Sequence, residues 1–417
     1  MNLLKSVFTG LIFSLLVLPL AGQSGTMREN IFRMLERANE LRDEDNHRGA
    51  RDLYTRLINY SLSEYERAVV SQNFGSLELT LENYAEAIRH FEIAVGTNAL
   101  PKQITSQMEA NLIQLYMIQD EFQKTLDLMA SWLPRQEDPQ VQIFVTAASA
   151  ATQLREFDLG IDYIRQAIER SETPEENWYR LLVALYHEKG DQQGTADSLE
   201  EVIRIFPDKS EYWRQLSGLY LNMSNDLRAL AILESAYEKN LLDDEDDLLQ
   251  LVNLYLFLDI PYEGSKILGR EIESGRITPN RKNFELLANA FLRARENRDA
   301  LQALLNAAKE AEDGNLNLRV AQVYVELEEW ESALTHLETA LQKGELRNRG
   351  LPFLLMGYAF YALDRREEAI EVFVAALAEE SIANQAKQWI SYLDPKLFDS
   401  LQSEEEDSDS TSAQKQG

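Results

Sequence analysis

Four side-chain amides occupy the same place in a unit of about 34 residues that recurs along this 417-residue chain. They stand at the ninth position of their units: Gln114, Asn253, Asn289 and Gln322. An amide can both donate to and accept from the backbone of an extended peptide, so a row of amides along a groove is suited to peptide capture. The alternative interpretation is that these amides only keep the groove hydrated.

An apolar group lies beside this row in the last unit. Leu354, Tyr358 and Tyr361 fall at its fifth, ninth and twelfth positions, which share one face of a helix. We expect them to form an apolar pocket that anchors a side chain of the same peptide. Together with the four amides, they make up the candidate peptide groove.

The residue types that usually carry catalysis or bind metal form no pattern that supports either chemistry. The histidines stand in four different units, so no two are spaced for a helical metal site: His47, His90, His187 and His336. The sequence has no phosphate-binding glycine loop, no nucleophile elbow and no cysteine. We therefore predict no catalytic residue, no cofactor and no metal, and a protein that is not an enzyme.

One acidic run has the charge of a calcium loop but not its spacing. Residues 243–247 read Asp-Asp-Glu-Asp-Asp, and Leu248 stands where an EF-hand requires glycine. Acidic side chains at the start of a helix interact favourably with the positive end of the helix dipole. We interpret the run as the beginning of a helix.

The elements that must position these residues follow from the repeat itself. In the unit that begins at Ser210, large and small residues have the spacing of the tetratricopeptide repeat (TPR), a helix-turn-helix: Trp213, Leu216, Ser217, Tyr220, Ala229, Leu233 and Ala236. Ten units begin near residues 31, 68, 106, 141, 176, 210, 245, 281, 314 and 350. The chain thus resembles a TPR protein, which implies an all-α fold wound as a right-handed superhelical solenoid.

Two positions of the unit carry the strongest signal. The twentieth is never bulky, as the crossing of the two helices requires: Ala50, Ala87, Thr125, Gly160, Thr195, Ala229, Gly264, Ala300, Ala333 and Ala369. The twenty-fourth is large and should fill the space between units: Tyr54, Phe91, Met129, Ile164, Leu199, Leu233, Leu268, Leu304, Leu337 and Phe373. Other positions divide the repeats of residues 27–380 into a degenerate half, 27–175, and a regular half, 176–380.

The two ends of the chain differ from the repeats. Residues 1–25 contain Lys5 and then an apolar run typical of a secretory signal peptide, the alternative being an uncleaved membrane anchor. Either interpretation places the repeats outside the cytoplasm. We expect residues 381–394 to form a capping helix, because a solenoid exposes the apolar face of its last repeat. Residues 395–417 are rich in acidic and small polar residues and are predicted to be a disordered tail.

The charge of the chain limits its partners. Seventy acidic side chains against 41 basic ones give a formal net charge of −29. The average surface therefore repels phosphate backbones and anionic lipid headgroups. We expect protein partners and no nucleic acid, with membrane association only through partners or through an uncleaved N-terminal segment.

Residues 175–280 are similar to one group of TPR proteins in particular. These are the periplasmic TPR proteins that accompany the TonB, ExbB and ExbD energy-transduction systems of Gram-negative bacteria. The residues that carry the similarity are Trp178, Tyr179, Trp213, Tyr220, Pro261, Tyr262 and Gly275. The resemblance implies a periplasmic accessory of TonB-dependent iron-complex uptake, which binds a component of the inner-membrane motor or TonB itself.

These features predict a non-enzymatic protein-interaction scaffold of the periplasm, and an accessory role in a TonB-type system is the first hypothesis. A general envelope-assembly or peptidoglycan-synthesis scaffold shares the fold and differs in its partner. A third hypothesis is a cell-wall hydrolase within the degenerate half. It requires a different fold over residues 31–175, and regular helix pairs there would contradict it.

Overall fold

The computed structural model describes residues 26–403, in which the regular elements are all helices. They follow one another in pairs, and the first helix of each pair, helix A, begins within four residues of a predicted unit. The A helices are α1 (Glu29–Asp43), α3 (Glu64–Thr80), α5 (Lys102–Ile118), α7 (Val141–Gln153), α9 (Glu176–Lys189), α11 (Ser210–Asn222), α13 (Glu245–Phe257), α15 (Arg281–Arg293), α17 (Asn315–Glu326) and α19 (Gly350–Ala362). The B helices are α2 (His47–Ile58), α4 (Tyr84–Gly96), α6 (Phe122–Trp132), α8 (Phe157–Arg170), α10 (Gln192–Ile205), α12 (Asp226–Glu238), α14 (Pro261–Glu273), α16 (Asn297–Lys309), α18 (Trp330–Lys343) and α20 (Arg366–Ala376). The predicted all-α TPR fold is confirmed.

The half with degenerate repeats is built like the other half. Four helix pairs run from Glu29 to Arg170, interrupted only by the short 3₁₀ turn Leu133–Arg135. The different fold that a hydrolase would require over residues 31–175 is therefore absent from the described residues. Degeneracy at individual consensus positions has not changed the local architecture.

The chain divides between Leu219 and Tyr220 into two compact units. Consecutive helices pack against each other from α1 to α10 in the first unit, and from α12 to α21 (Ala383–Leu393) in the second. Some successive A helices also contact each other directly, as α5 and α7 do in the first unit and α17 and α19 in the second. Side chains of neighbouring A helices are thereby brought side by side.

The crossing of helix A and helix B is as tight as the sequence predicts. All ten small residues at the twentieth position are buried, and so are all ten large residues at the twenty-fourth. At Gly264 an added Cβ would stand 3.1 Å from the Cβ of Tyr255 on the paired helix. Side chains larger than alanine or threonine therefore have no room at the crossing.

The turn between helix A and helix B is the same in every pair. One residue adopts a left-handed backbone, with φ of 56° to 62° at Asp45, Glu82, Asp120, Arg155, Ser224, Asp259, Arg295, Glu328 and Asp364, and 78° at Gly190. The next residue donates its N–H to a carbonyl five residues earlier, at 2.7 to 3.0 Å. This arrangement is the Schellman motif, which satisfies carbonyls that the end of helix A would otherwise leave without partners.

Hydrogen bonds join helix A of one repeat to helix B of the repeat before it. The hydroxyl of Tyr116 donates to Glu92 at 2.8 Å, and that of Tyr255 donates to Glu234 at 2.7 Å. Both tyrosines stand at the eleventh position and both glutamates at the twenty-fifth of the preceding unit. Burial, and then the glutamate, raises the pKa of each tyrosine well above its usual value. These contacts tie neighbouring repeats together inside each compact unit.

The C-terminal end corrects one prediction. Helix α21 is the predicted capping helix, and its Ala386, Ile390 and Leu393 are buried. Residues 395–403, however, are helical rather than disordered, because three apolar side chains pack onto the last core cluster: Leu397, Phe398 and Leu401. The remainder of the predicted tail, 404–417, and the predicted signal segment, 1–25, lie outside the described residues. Between residues 26 and 403, no helix is long and apolar enough to cross a membrane.

One titratable side chain is sealed inside the first unit. His90 on α4 has no exposed surface, and its ring stacks on Phe74 with the ring centroids 4.1 Å apart. Its Nε2 lies 3.0 Å from the Arg89 guanidinium, and its Nδ1 has no hydrogen-bond partner within residues 26–403. Burial, and then Arg89, lowers the pKa of His90 to about 4. The folded protein therefore holds this imidazole neutral.

We expect Ala300→Arg to unfold the second compact unit. Ala300 has no exposed surface in the packing of α16 on α15, and a long cation there lacks space and a partner. The expected loss in the free energy of unfolding is about 4 kcal/mol or more. Gln302→Arg, on the exposed side of the same helix, is the matched control and should change stability by less than about 0.5 kcal/mol. Urea denaturation followed by circular dichroism measures the stability of both variants. Equal stabilities would contradict the placement of Ala300 at a tight helix crossing.

We expect the first unit to lose stability as the pH falls from about 6.5 towards 4. In this range the unfolded chain binds a proton at His90 that the folded chain, with its pKa of about 4, does not bind. The loss should reach on the order of 3 kcal/mol at the lower end of the range.

The variant His90→Phe keeps an aromatic ring on Phe74 and should lose stability less steeply between pH 6.5 and 5. The slope that remains comes from His336 of the second unit, whose pKa burial also lowers. Arg28 lowers the pKa of Glu66, and Arg89 lowers that of Glu86. These two carboxylates therefore make stability depend on pH only below the usual carboxyl pKa range. Urea midpoints measured at several pH values test this expectation. The same slope in both proteins above pH 5 would show that His90 is not its source.

Candidate functional site

Two of the predicted groove amides meet in one cleft of the second unit. Asn253 projects from α13 and Asn289 from α15, and both are exposed. The cleft has a volume of about 600 Å³ and is lined by Leu249, Asn253, Arg281, Lys282, Asn283, Glu285, Leu286 and Asn289. This volume lies in the usual range of ligand pockets, roughly 300–1,000 Å³. Half-buried Leu249 and Leu286 give the cleft an apolar part.

A buried asparagine fixes the distance between the two walls of the cleft. The side-chain N–H groups of Asn283 donate to the Glu245 carboxylate at 2.9 Å and to the Thr278 carbonyl at 2.9 Å. The hydroxyl of Thr278 donates to the other oxygen of Glu245 at 2.6 Å. These bonds, led by that of Thr278, lower the pKa of Glu245. The first turns of α13 and α15 are thereby held together.

A network of charges borders the cleft on its other side. Arg281 donates to Glu285 at 2.8 Å and lies 3.5 Å from Asp313, and the bond to Glu285 raises the pKa of Arg281. Arg319, on α17, lies 3.9 Å from the same Glu285. Both guanidinium groups are thus paired with carboxylates. Lys282 also lines the cleft, but it is exposed and forms no ion pair in the described residues.

The two amides of the cleft differ in what they can offer a ligand. Arg319 donates to the side-chain oxygen of Asn289, which leaves the Asn289 amide N–H groups as donors. Asn253 makes no hydrogen bond within residues 26–403, so its side chain can donate and accept. An extended backbone that crosses the cleft presents both carbonyls and N–H groups. Asn253 and Asn289 together can donate to the carbonyls and accept from the N–H groups.

The other two predicted amides lie elsewhere. Gln114, on α5 of the first unit, is only 2% exposed, so its prediction as a groove residue is wrong. Its helix, α5, packs directly against the next A helix, α7, in which small side chains such as Ala147, Ala148 and Ser149 are buried. Gln322 is half-buried on α17, one turn from Arg319, and does not line the cleft. Its role in a groove stays a prediction.

The predicted apolar anchor pocket is filled by the chain itself. Leu354 is buried, and the Tyr358 ring packs edge-to-face on Phe373 and on Trp389 of α21, with centroids 6.2 and 5.0 Å apart. The capping helix therefore covers the positions at which a ligand side chain was expected. Tyr361 remains 41% exposed.

Sequence reasoning missed several residues that shape the cleft. Arg281, Lys282 and Leu286 belong to α15, but only the packing of α15 beside α13 turns them towards a shared space. Phe257, one turn beyond Asn253, does not line the cleft, but its 72% exposure was also missed. The available signal was weak, because the neighbouring Leu256 is buried and helical periodicity does not separate two adjacent apolar residues. Within residues 26–403, no group of three or more potential metal ligands comes together.

Comparisons with known proteins give the following similarities. No protein-family model matches the chain, and no curated protein matches it. A TPR protein from Parabacteroides merdae ATCC 43184 is 13% identical over 68% of this chain and 93% of its own, with a TM-score of 0.36. YrrB, described as a TPR protein with an unusual peptide-binding site, is 16% identical over 44% and 91%, with a TM-score of 0.34. The TPR2AB domain of yeast Sti1, solved with pHSP90, is 16% identical over 61% and 98%, with a TM-score of 0.30.

We expect Asn283→Ala to destabilise the second unit by about 1–3 kcal/mol. The change removes the amide that bridges Glu245 and Thr278, and it leaves polar groups in a largely buried place without a partner. Asn253→Ala is the matched control, because Asn253 is exposed and makes no hydrogen bond in the described structure, so its effect should be within about 0.5 kcal/mol. Urea denaturation measures both variants, and equal losses would contradict the bridging role.

Proposed function

We propose that this protein is a non-enzymatic scaffold that holds an extended segment of a partner protein in the cleft between α13 and α15. The observation that carries the proposal is the pair of exposed amides, Asn253 and Asn289, on successive A helices at the edge of one ligand-sized cleft. Amides placed in this way recognise backbone, which every protein partner offers. Side chains of the partner would then be selected by the rest of the cleft.

The chemistry of the cleft describes the segment that fits. Leu249 and Leu286 favour an apolar side chain, since burying it there removes apolar surface from water. Exposed Lys282 favours a carboxylate nearby, while Arg281 is already paired with Glu285. The proposed ligand is thus an extended segment with an apolar residue beside an acidic one.

The test compares partner recovery by the wild-type chain and by the double variant Asn253→Ala, Asn289→Ala. Each amide forms up to two hydrogen bonds of roughly 0.5–1.5 kcal/mol, so the double change should weaken binding about tenfold or more. Tagged protein is purified from cross-linked cells, and the recovered proteins are quantified by mass spectrometry. The matched control is Gln302→Ala with Gln342→Ala, two exposed amides on B helices. Unchanged recovery by a folded double variant would overturn the cleft as the binding site.

For the partner we propose a component of a TonB-type energy-transduction system, which makes the protein a periplasmic accessory of iron-complex uptake. The support is the resemblance of residues 175–280, and, for the location, the signal-like composition of residues 1–25. A general envelope-assembly or peptidoglycan-synthesis scaffold is the second candidate, since it requires the same fold. Enrichment of TonB, ExbB or ExbD in the same purification supports the first candidate, and enrichment of assembly factors or cell-wall synthases replaces it by the second.

A further inference from the structure

A second surface with binding chemistry lies at the C-terminal end of the repeats. Tyr361 on α19 is 41% exposed, Tyr392 on α21 is 66% exposed, and half-buried Trp389 on α21 lies next to both. The ring of Tyr361 lies 5.3 Å from that of Trp389 and 6.2 Å from that of Tyr392, measured between centroids. We call these three residues the C-terminal aromatic surface. It belongs to other helices than the cleft between α13 and α15.

The core below holds this surface in place. Trp389 stacks on Phe373 with the centroids 5.5 Å apart and an angle of 8° between the planes. Arg366 donates to the carbonyl of Leu393 and so anchors the end of α21. The rings of the surface are inclined to one another by 57° to 89°. The exposed rings thus stand at steep angles to one another on a fixed base.

The surface also carries polar groups without strong partners. The hydroxyl oxygens of Tyr361 and Tyr392 are 3.4 Å apart, a long contact that leaves both groups able to bond a ligand. Trp389 is half-buried, and its indole N–H has no hydrogen-bond partner within residues 26–403. The surface therefore combines aromatic faces with hydrogen-bond donors.

We propose that the C-terminal aromatic surface binds a proline-rich segment of a partner protein in the polyproline II conformation. Such a segment has no internal hydrogen bonds, so its carbonyls can accept from the Trp389 N–H and the tyrosine hydroxyls. Its rigid rings pack against inclined aromatic side chains, and little conformational entropy is lost on binding. An ordinary extended peptide also has a backbone N–H to satisfy at almost every residue, whereas the Trp389 indole can only donate. This favours a segment whose prolines offer carbonyls and carry no N–H.

The experiment measures binding of a ten-residue all-proline peptide to residues 26–417 by isothermal titration calorimetry, with a Gly-Ser peptide of equal length as the comparison. We expect saturable binding of the proline peptide only. Tyr361→Ala and Tyr392→Ala should each weaken it about tenfold or more, since each removes an aromatic anchor. Trp389→Phe keeps the stack on Phe373 and should weaken binding through loss of the indole N–H. Tyr262→Ala, an exposed tyrosine on α14, is the matched control and should bind like the wild type.

Several results would overturn the proposal. The first is the absence of saturable binding to the wild-type chain, and the second is equal binding of the Gly-Ser peptide. The third is an unchanged affinity in Tyr361→Ala and Tyr392→Ala variants whose circular dichroism melts match that of the wild type. Binding of tetramethylammonium without binding of the proline peptide would identify a cation site in place of the proposed one. None of these outcomes bears on the cleft, whose own variants are distinct.

Discussion

The close crossing of helix A and helix B is the constraint on which the other features depend. A residue no larger than threonine is buried at this crossing in every repeat, which lets the two backbones approach and directs the large twenty-fourth residue into the core. A single long side chain at the crossing would separate the helices, because packed interiors have little free space. The close crossing therefore also sets where the exposed side chains of the A helices lie.

The position of the cleft depends on contacts between repeats as well as on those within them. Tyr255 reaches back from α13 to Glu234 of the preceding repeat, and Asn283 reaches from α15 to Glu245 at the start of α13. Three successive repeats are thereby fixed relative to one another around Asn253 and Asn289. Two exposed amides on separate helices can act together because the buried polar bonds beneath them set their separation.

The sequence was sufficient for the fold because the fold is set by residue sizes at a fixed spacing. Ala300 and Leu304 illustrate this, since each is defined by its own repeat and meets the same surroundings in every copy. The site was predicted only in part. Asn253 and Asn289 do line one cleft, whereas Gln114 at the same repeat position is buried in a helix that packs directly on the next A helix.

The other differences also arise from contacts between segments. The sequence predicts separately that Tyr358 lines a pocket and that a capping helix follows the last repeat. It does not give the angle at which α21 docks, and this angle places Trp389 in the pocket. Residues 395–417 taken together have an acidic and polar composition, but all but one of their acidic side chains come after residue 403. Residues 395–403 instead carry Leu397, Phe398 and Leu401, which pack onto the last core cluster. Composition averages over a window and does not register three well-placed apolar side chains.

The left-handed turn residues indicate that this chain is less stable than its fold allows. A left-handed backbone costs a residue with a Cβ roughly 1–2 kcal/mol, and Glu82, Arg155, Arg295 and Glu328 adopt it without glycine. Gly190 shows that the same turn accommodates glycine. Glycine loses more conformational entropy on folding, which offsets part of any gain. Glycine at these turns should nevertheless make the protein somewhat more stable, which indicates that natural selection has not maximised its stability.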